Sequence, residues 1–189
     1  MNRYTVLLDA NVLYPAPLRD AVLQLAVTDL FKAKWTGDIH REWIKALLRN
    51  EPQRDPAALQ RTRKHMDTAV RDCLVTGYRS LIPSLDLPDP NDRHVLAAAI
   101  VGRCDAIVTQ NLKDFPAAAL APFGIETQHP DDFFCNQLSL APELVCSALG
   151  KVRARLKNPP KTADAYLASL SRQGLVATVA ELGQFSALI

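Results

Sequence analysis

The sequence is short of most features that mark a specialised class of protein. Its charges almost cancel: 22 Lys and Arg stand against 20 Asp and Glu over 189 residues, a net of +2. That excludes a massively basic nucleic-acid coat but leaves room for a basic patch on a near-neutral surface. No apolar run reaches the ~18 residues of a membrane span. The opening Met1–Leu8 stretch, stopped by Asp9, is too short and too polar for a signal peptide. A cytoplasmic protein without membrane association is therefore expected. The four cysteines, Cys73, Cys104, Cys135 and Cys146, form no C-x-x-C pair and have no histidine at zinc-finger spacing. Buried free thiols in a reducing compartment are expected in place of disulfides or zinc. Repeats and low-complexity tracts are absent as well. What remains, 48% hydrophobic and 22% charged, is ordinary globular protein a little longer than one domain.

Tyr4–Leu8 is a short apolar run that suits a buried parallel strand. A helix is predicted from Pro15 and Pro17 through Leu30 and Phe31. Gly37-Asp38 supplies a stop and an N-cap for a second helix, whose apolar face is Ile39, Trp43 and Leu47. Asp55-Pro56 starts a third, running to about Leu74. Tyr78–Ile82 reads as a second strand, Asn91–Cys104 as an alanine-rich helix, Ala106–Thr109 as a third strand and Gly124–Thr127 as a weak fourth. Strands alternating with helices predict an α/β sandwich around a mostly parallel sheet. Composition changes after Leu140, so the chain divides into a unit of residues 1–140 and a helical extension of residues 141–189.

Function in such sheets sits beyond the carboxyl ends of the strands. Asp9 and Thr109 fall there. A carboxylate at that position needs a cation, a proton or a dipole partner, and capping the next helix would serve equally well. Glu42 in its helix, Asp89 and Asp92 at the start of the alanine-rich helix, and Asp114 after the third strand extend the acid set. Asp89 and Asp92 each have a capping role open to them. Carboxylates from separate elements converging in one crevice repel each other. A divalent metal neutralises them, and hard oxygen ligands suit Mg²⁺ or Mn²⁺.

The segments Leu8-Asp9-Ala10-Asn11-Val12-Leu13, His40-Arg41-Glu42-Trp43, Asp89-Pro90-Asn91-Asp92-Arg93-His94-Val95-Leu96-Ala97-Ala98-Ala99 and Asp105–Phe115 together resemble a PIN domain. Their order and spacing resemble the VapC-type toxins of toxin–antitoxin pairs, over approximately residues 4–137. The resemblance implies a three-layer α/β/α sandwich and a metal-dependent ribonuclease. Asp9, Glu42 and Asp92 match the three core acids, as metal ligands for one or two Mg²⁺ or Mn²⁺ ions. The fourth family position, often Asp, is Asn111 here, and Asp114 is the candidate to restore that charge. Asp89, Asn11 and Thr109 match supporting positions. A homodimer and a cognate antitoxin are implied partners, and the extension resembles the helical tail of a longer VapC subgroup.

Substrate binding is expected from Arg41, Lys45 and Arg49, which recur every four residues on the Glu42 helix. A solvated face with internal ion pairs is the plain alternative. Lys151, Arg153, Arg155, Lys157 and Lys161 form a second acid-free basic stretch, suited to RNA or to an acidic antitoxin segment. Trp35 and Trp43 are candidate stacking platforms for bases, with Trp43 also fitting the core. His94 is a candidate to approach the acids from its helix, with a surface or capping role as the plain alternative. Two other functions stay open: a PIN scaffold that binds RNA or protein without cutting, which Asn111 favours, and an acid-pocket phosphotransfer domain, for which a suitably placed lysine is missing.

Overall fold

Val6, Leu7 and Leu8 have no exposed surface, because an uninterrupted apolar run needs cover on both faces of a sheet. They form β1 (Thr5–Leu8) in a computed structural model that describes residues 3–189; Met1 and Asn2, at the start of the expected 1–140 unit, lie outside it. After β1 come α1 (Ala10–Leu13), α2 (Ala16–Ala26), β2 (Lys32–Lys34), α3 (Gly37–Asn50) and α4 (Pro56–Ala69). A 3₁₀ turn at Pro90–Asp92 leads into α5 (Arg93–Val101), followed by β3 (Ala106–Val108), α6 (Ala117–Leu120) and β4 (Glu126–Gln128). The chain closes with α7 (Pro130–Leu140), α8 (Pro142–Arg155), α9 (Ala163–Ser171) and α10 (Val176–Leu182). The four strands are parallel in the order β2-β1-β3-β4. Helices cover the sheet, giving the α/β/α sandwich with C-terminal helices.

The register places Leu8 beside Val108 and Val108 beside Gln128. Asp9, Thr109 and His129 therefore leave the sheet together at its carboxyl edge. The Asp9 N–H donates to Val108 O at 3.1 Å and the Thr109 N–H to Gln128 O at 3.0 Å, carrying the ladder one residue past the strands.

One strand stands where none is expected, and one expected strand is corrected. Lys32–Lys34 is a strand just past the span predicted as a helix to Phe31. Three residues with lysine at both ends carry no strand signal, yet such lysines suit a sheet edge, where they discourage pairing with another chain. Tyr78–Ile82 is not a strand: Arg79–Ser84 is a 3₁₀ helix, with Pro83 unable to donate to a ladder. The third helix stops at Ala69, short of Leu74, and α3 is capped by the Thr36 hydroxyl and not by Asp38. All four cysteines are free, three of them buried.

The extension packs on the sheet-bearing part: α8 and α9 lie against α2, and α10 against α7. Asp131 on α7 makes the last contact specific. Its carboxylate accepts the backbone N–H groups of Ala177 and Thr178 at 2.8 and 2.9 Å, and the Thr178 hydroxyl at 2.7 Å. Burial works to raise its pKa, but the three bonds outweigh it and hold the carboxyl below its usual value. A depressed acid contributes stability above the unfolded value of 3.8 and loses it as the pH falls through the folded one. Asp131→Ala is expected to cost about 1–2 kcal/mol, the size of a lost N-cap. Thermal unfolding of the two proteins should differ clearly at pH 7 and converge toward pH 3.

Candidate active site

Asp9 is only 6% exposed although it is an acid. Its Oδ1 accepts the Ala10 N–H at 2.6 Å, so it caps α1. Its Oδ2 has a different task, accepting the Thr109 hydroxyl and the Asn11 amide, each at 2.7 Å. Asn11 also donates to Thr109 Oγ1 at 2.9 Å, and its Oδ1 accepts the Gln110 N–H at 3.0 Å. The turn after β1 and the turn after β3 are thereby locked together, and the Asp9 carboxylate is held in one orientation. Burial pushes its pKa up, against the Thr109 and Ala10 bonds; Glu42 adds to the rise and His94 opposes it.

Asp92 precedes α5, and its side chain makes no capping bond. Capping falls instead to Asp89, which accepts the Asn91 N–H at 2.8 Å. The Asp92 carboxyl is pushed up to about 7, first by burial and then by repulsion from Asp9, Asp114, Asp89 and Glu42. Five acids from four separate segments thus share one electrostatic neighbourhood. Asn111 does not break the set: its amide is hydrogen-bonded to Asp114 Oδ2, and its own N–H donates to Thr109 Oγ1 at 3.1 Å. His94 Nε2 stands 2.7 Å from Glu42 Oε1, at ion-pair distance but off the line of a hydrogen bond, and Nδ1 has no partner.

The helices that carry these groups are fixed from below. Arg19 on α2 donates to the Leu13 and Tyr14 carbonyls at the end of α1, and its guanidinium carbon lies 5.1 Å from the Trp43 ring centroid on α3. Trp43 is fully buried, and so is Trp35, whose indole N–H donates to Asp67 at 2.8 Å. Neither is open to stack on a base, which corrects that expectation. Of the basic stripe on α3, Arg41 is paired with Asp38, which also holds Arg79 at 2.7 Å and the Tyr78 hydroxyl at 2.6 Å. Lys45 and Arg49 are exposed and make no ion pair among the described residues. In the second basic stretch Arg153 is spent on the Ile189 and Lys161 carbonyls and Arg155 on Gln24.

All the acids of the site are hard oxygen donors, and their mutual repulsion is what a divalent cation relieves. The chemistry and charge fit Mg²⁺ or Mn²⁺. The side chains themselves stand apart: among the described residues no three His, Cys, Asp or Glu groups are placed to hold a metal ion. Glu42 faces His94, and its side chain is 45% exposed.

A short parallel sheet with buried and half-buried acids gathered at its carboxyl edge defines an acidic-site α/β/α protein, and residues 5–113 match the PIN domain family. The chain belongs to that family. Residues 130–184 match a second family, the VapC50 C-terminal domain. The chain is also 45% identical over 98 residues to a protein of Mycobacterium tuberculosis (strain ATCC 25618 / H37Rv) named "Putative ribonuclease VapC50". That alignment covers 51% of this chain and 57% of the relative, so it spans little more than half the relative's length. No solved structure matches the chain. Among the described residues no helix is long and apolar enough to cross a membrane.

Proposed function

We propose that this chain is a metal-dependent endoribonuclease that hydrolyses RNA phosphodiester bonds, the toxin of a toxin–antitoxin pair. One observation carries the reading: burial, and then the charges of Asp9, Asp114, Asp89 and Glu42, push the Asp92 carboxyl up to about 7, so five acids from four segments act on one another. Helix capping accounts for Asp89 but leaves the Asp92 side chain without a capping bond. The relative's name, with the word ribonuclease in it, supports the same direction.

Asp9, Glu42 and Asp92 are the residues to hold one or two Mg²⁺ or Mn²⁺ ions, with Asp114 as a fourth ligand. When bound, such ions activate water for in-line attack and stabilise the departing oxygen. The chain's own part is orientation. Thr109 and Asn11 aim Oδ2 of Asp9, Asn111 steadies Asp114, and the exposed Glu42 arm closes the set. Without positive charge the acids repel a phosphodiester, so the approach of RNA depends on cations at the rim, of which Lys45 and Arg49 are free on α3. The VapC-type resemblance extends the reading to an antitoxin partner and a homodimer, with residues 1–140 as the nuclease unit and 141–189 as its extension.

The test is cleavage of a mixed RNA pool by the purified protein with Mg²⁺ or Mn²⁺, beside an EDTA control and Asp9→Asn. Cuts at a few defined sites are expected, lost with EDTA and reduced on the order of a thousandfold in the variant, whose circular dichroism should match the parent. A folded protein, free of antitoxin, that binds RNA and leaves it intact would make the chain a binding scaffold instead.

A further inference from the structure

The turn between α9 and α10, residues 172–175, belongs to the C-terminal extension, yet it lies against residues that leave the sheet at the active-site edge. Gln110, two residues beyond β3, donates from Nε2 to the Gln173 carbonyl at 3.1 Å. Gly174 has a φ of +91°, a conformation that glycine adopts without strain. A Cβ at Gly174 would stand 3.5 Å from Gln110 Oε1 and 3.7 Å from His129 Cε1, and His129 directly follows β4. Asp131 ties down the start of α10 immediately after the turn. Gln110 also donates its backbone N–H to Asn11, which in turn donates to Asp9. Two side chains, Gln110 and Asn11, thus connect the extension to the central acid.

The sheet order sets what this turn faces. With β2-β1-β3-β4, α3, which carries the free Lys45 and Arg49, follows the edge strand β2, and the α9–α10 turn lies against Gln110 and His129, which follow β3 and β4. A polyanion crossing an acidic crevice needs cations on both rims. In the α9–α10 turn Arg172 is exposed, makes no ion pair among the described residues, and opens a stretch to Ala180 that contains no acid.

Resting on the nuclease reading above, we infer that the extension is a working part of the site: its α9–α10 turn is the far wall of the RNA path, and Arg172 is a phosphate contact there. Gln110 is the positioning residue that holds the turn in register with Asp9.

The experiment measures binding of a fluorescein-labelled random single-stranded RNA to the full-length Asp9→Asn protein by fluorescence anisotropy in EDTA, across a salt series. Added to that parent are Arg172→Ala, Arg172→Lys, Gln110→Ala and Arg103→Ala. Arg103 is an exposed arginine between α5 and β3, at the opposite, amino-terminal edge of the sheet. Losing one phosphate contact should weaken binding about three- to tenfold and lower the slope of log affinity against log salt by about 0.7 in Arg172→Ala. Arg172→Lys should keep the slope, Gln110→Ala should lose affinity without losing slope, and Arg103→Ala should match the parent. Equal affinity and slope in Arg172→Ala and Arg103→Ala would overturn the inference and leave the nuclease reading standing. Equal losses in the Ala and Lys variants, with a lowered melting temperature, would reduce Arg172 to a structural role and overturn it too. Failure of the Asp9→Asn parent to bind RNA at all would overturn the nuclease reading, and this inference with it.

Discussion

Asp92→Asn is expected to make the metal-free protein more stable while abolishing cleavage. The native carboxyl keeps its proton to about 7, whereas the unfolded chain gives it up near 3.8. Between those values the native state binds more protons, so stability falls as the pH rises toward neutrality. Asn keeps the shape and removes both the desolvated charge and its repulsion with Asp9. The full shift overstates the gain, because Asp92 is only partly shielded from water. After that discount about 1–2 kcal/mol at pH 8 is expected, or about 3–6 °C in melting temperature for a chain of this size. Cleavage should fall on the order of a thousandfold with a ligand removed. Mn²⁺ should raise the melting temperature of the parent more than that of the variant, and bind the parent more weakly at pH 6 than at pH 8, since binding must then displace a proton. Thermal shift from pH 5 to 8, with and without metal, measures the stability gain and the metal response together. A variant that is no more stable than the parent and responds equally to metal would remove Asp92 from the site.

Asp67→Ala should cost about 2–4 kcal/mol of stability although it lies outside the site. Asp67 Oδ1 accepts the Trp35 indole N–H and pairs with His40 Nε2, both at 2.8 Å. The Trp43 indole donates to His40 Nδ1 at 3.0 Å, so Nδ1 is the acceptor and Nε2 carries the hydrogen given to Asp67. Truncation strands two donors on side chains with no exposed surface. Asp67→Asn retains an acceptor and should lose less. Burial, outweighing the Asp67 bond, holds the His40 pKa below its usual 6.5. The unfolded chain therefore takes a proton near 6.5 that the native state refuses, and stability should decline as the pH falls below that value. Urea denaturation at pH 5.5 and 7.5 measures both effects. Because this network sits under α3, which carries Glu42, Lys45 and Arg49, Asp67→Ala should also lower activity in protein that remains folded.

Much of the site is readable along the chain because its acids occupy positions with a local reason to be there. Asp9 directly follows a run that is apolar enough to be a buried strand. Asp89-Pro90 opens a helix by capping chemistry, and the alanines of α5 mark close packing on the sheet. These are short-range signals of burial and helix initiation, visible without knowing what lies across the fold. The same logic locates α3 from its apolar stripe and β3 from Ala106-Ile107-Val108.

It fails where partners are distant or the element is polar. β2 is Lys-Ala-Lys, a strand made by pairing with β1 and not by its own pattern. Arg41 reads as a free cation on its helix face, but Asp38 claims it together with Arg79, 41 residues from Asp38. Trp35 looks available for stacking until its burial and its bond to Asp67 are seen. The bond of Thr109 to Asp9 spans 100 residues, that of Asn11 to Gln110 99, and that of Gln110 to Gln173 63. The parallel α/β plan follows from local patterning, because burial and capping act over a few residues, whereas the roles of Asp9, Glu42 and Asp92 come from the family resemblance. The shared neighbourhood of five carboxylates, the proton held on Asp92 and the place of the C-terminal turn beside them depend on strand order and register. Electrostatic repulsion and hydrogen bonding act through space, and proximity of that kind exists once the chain has folded.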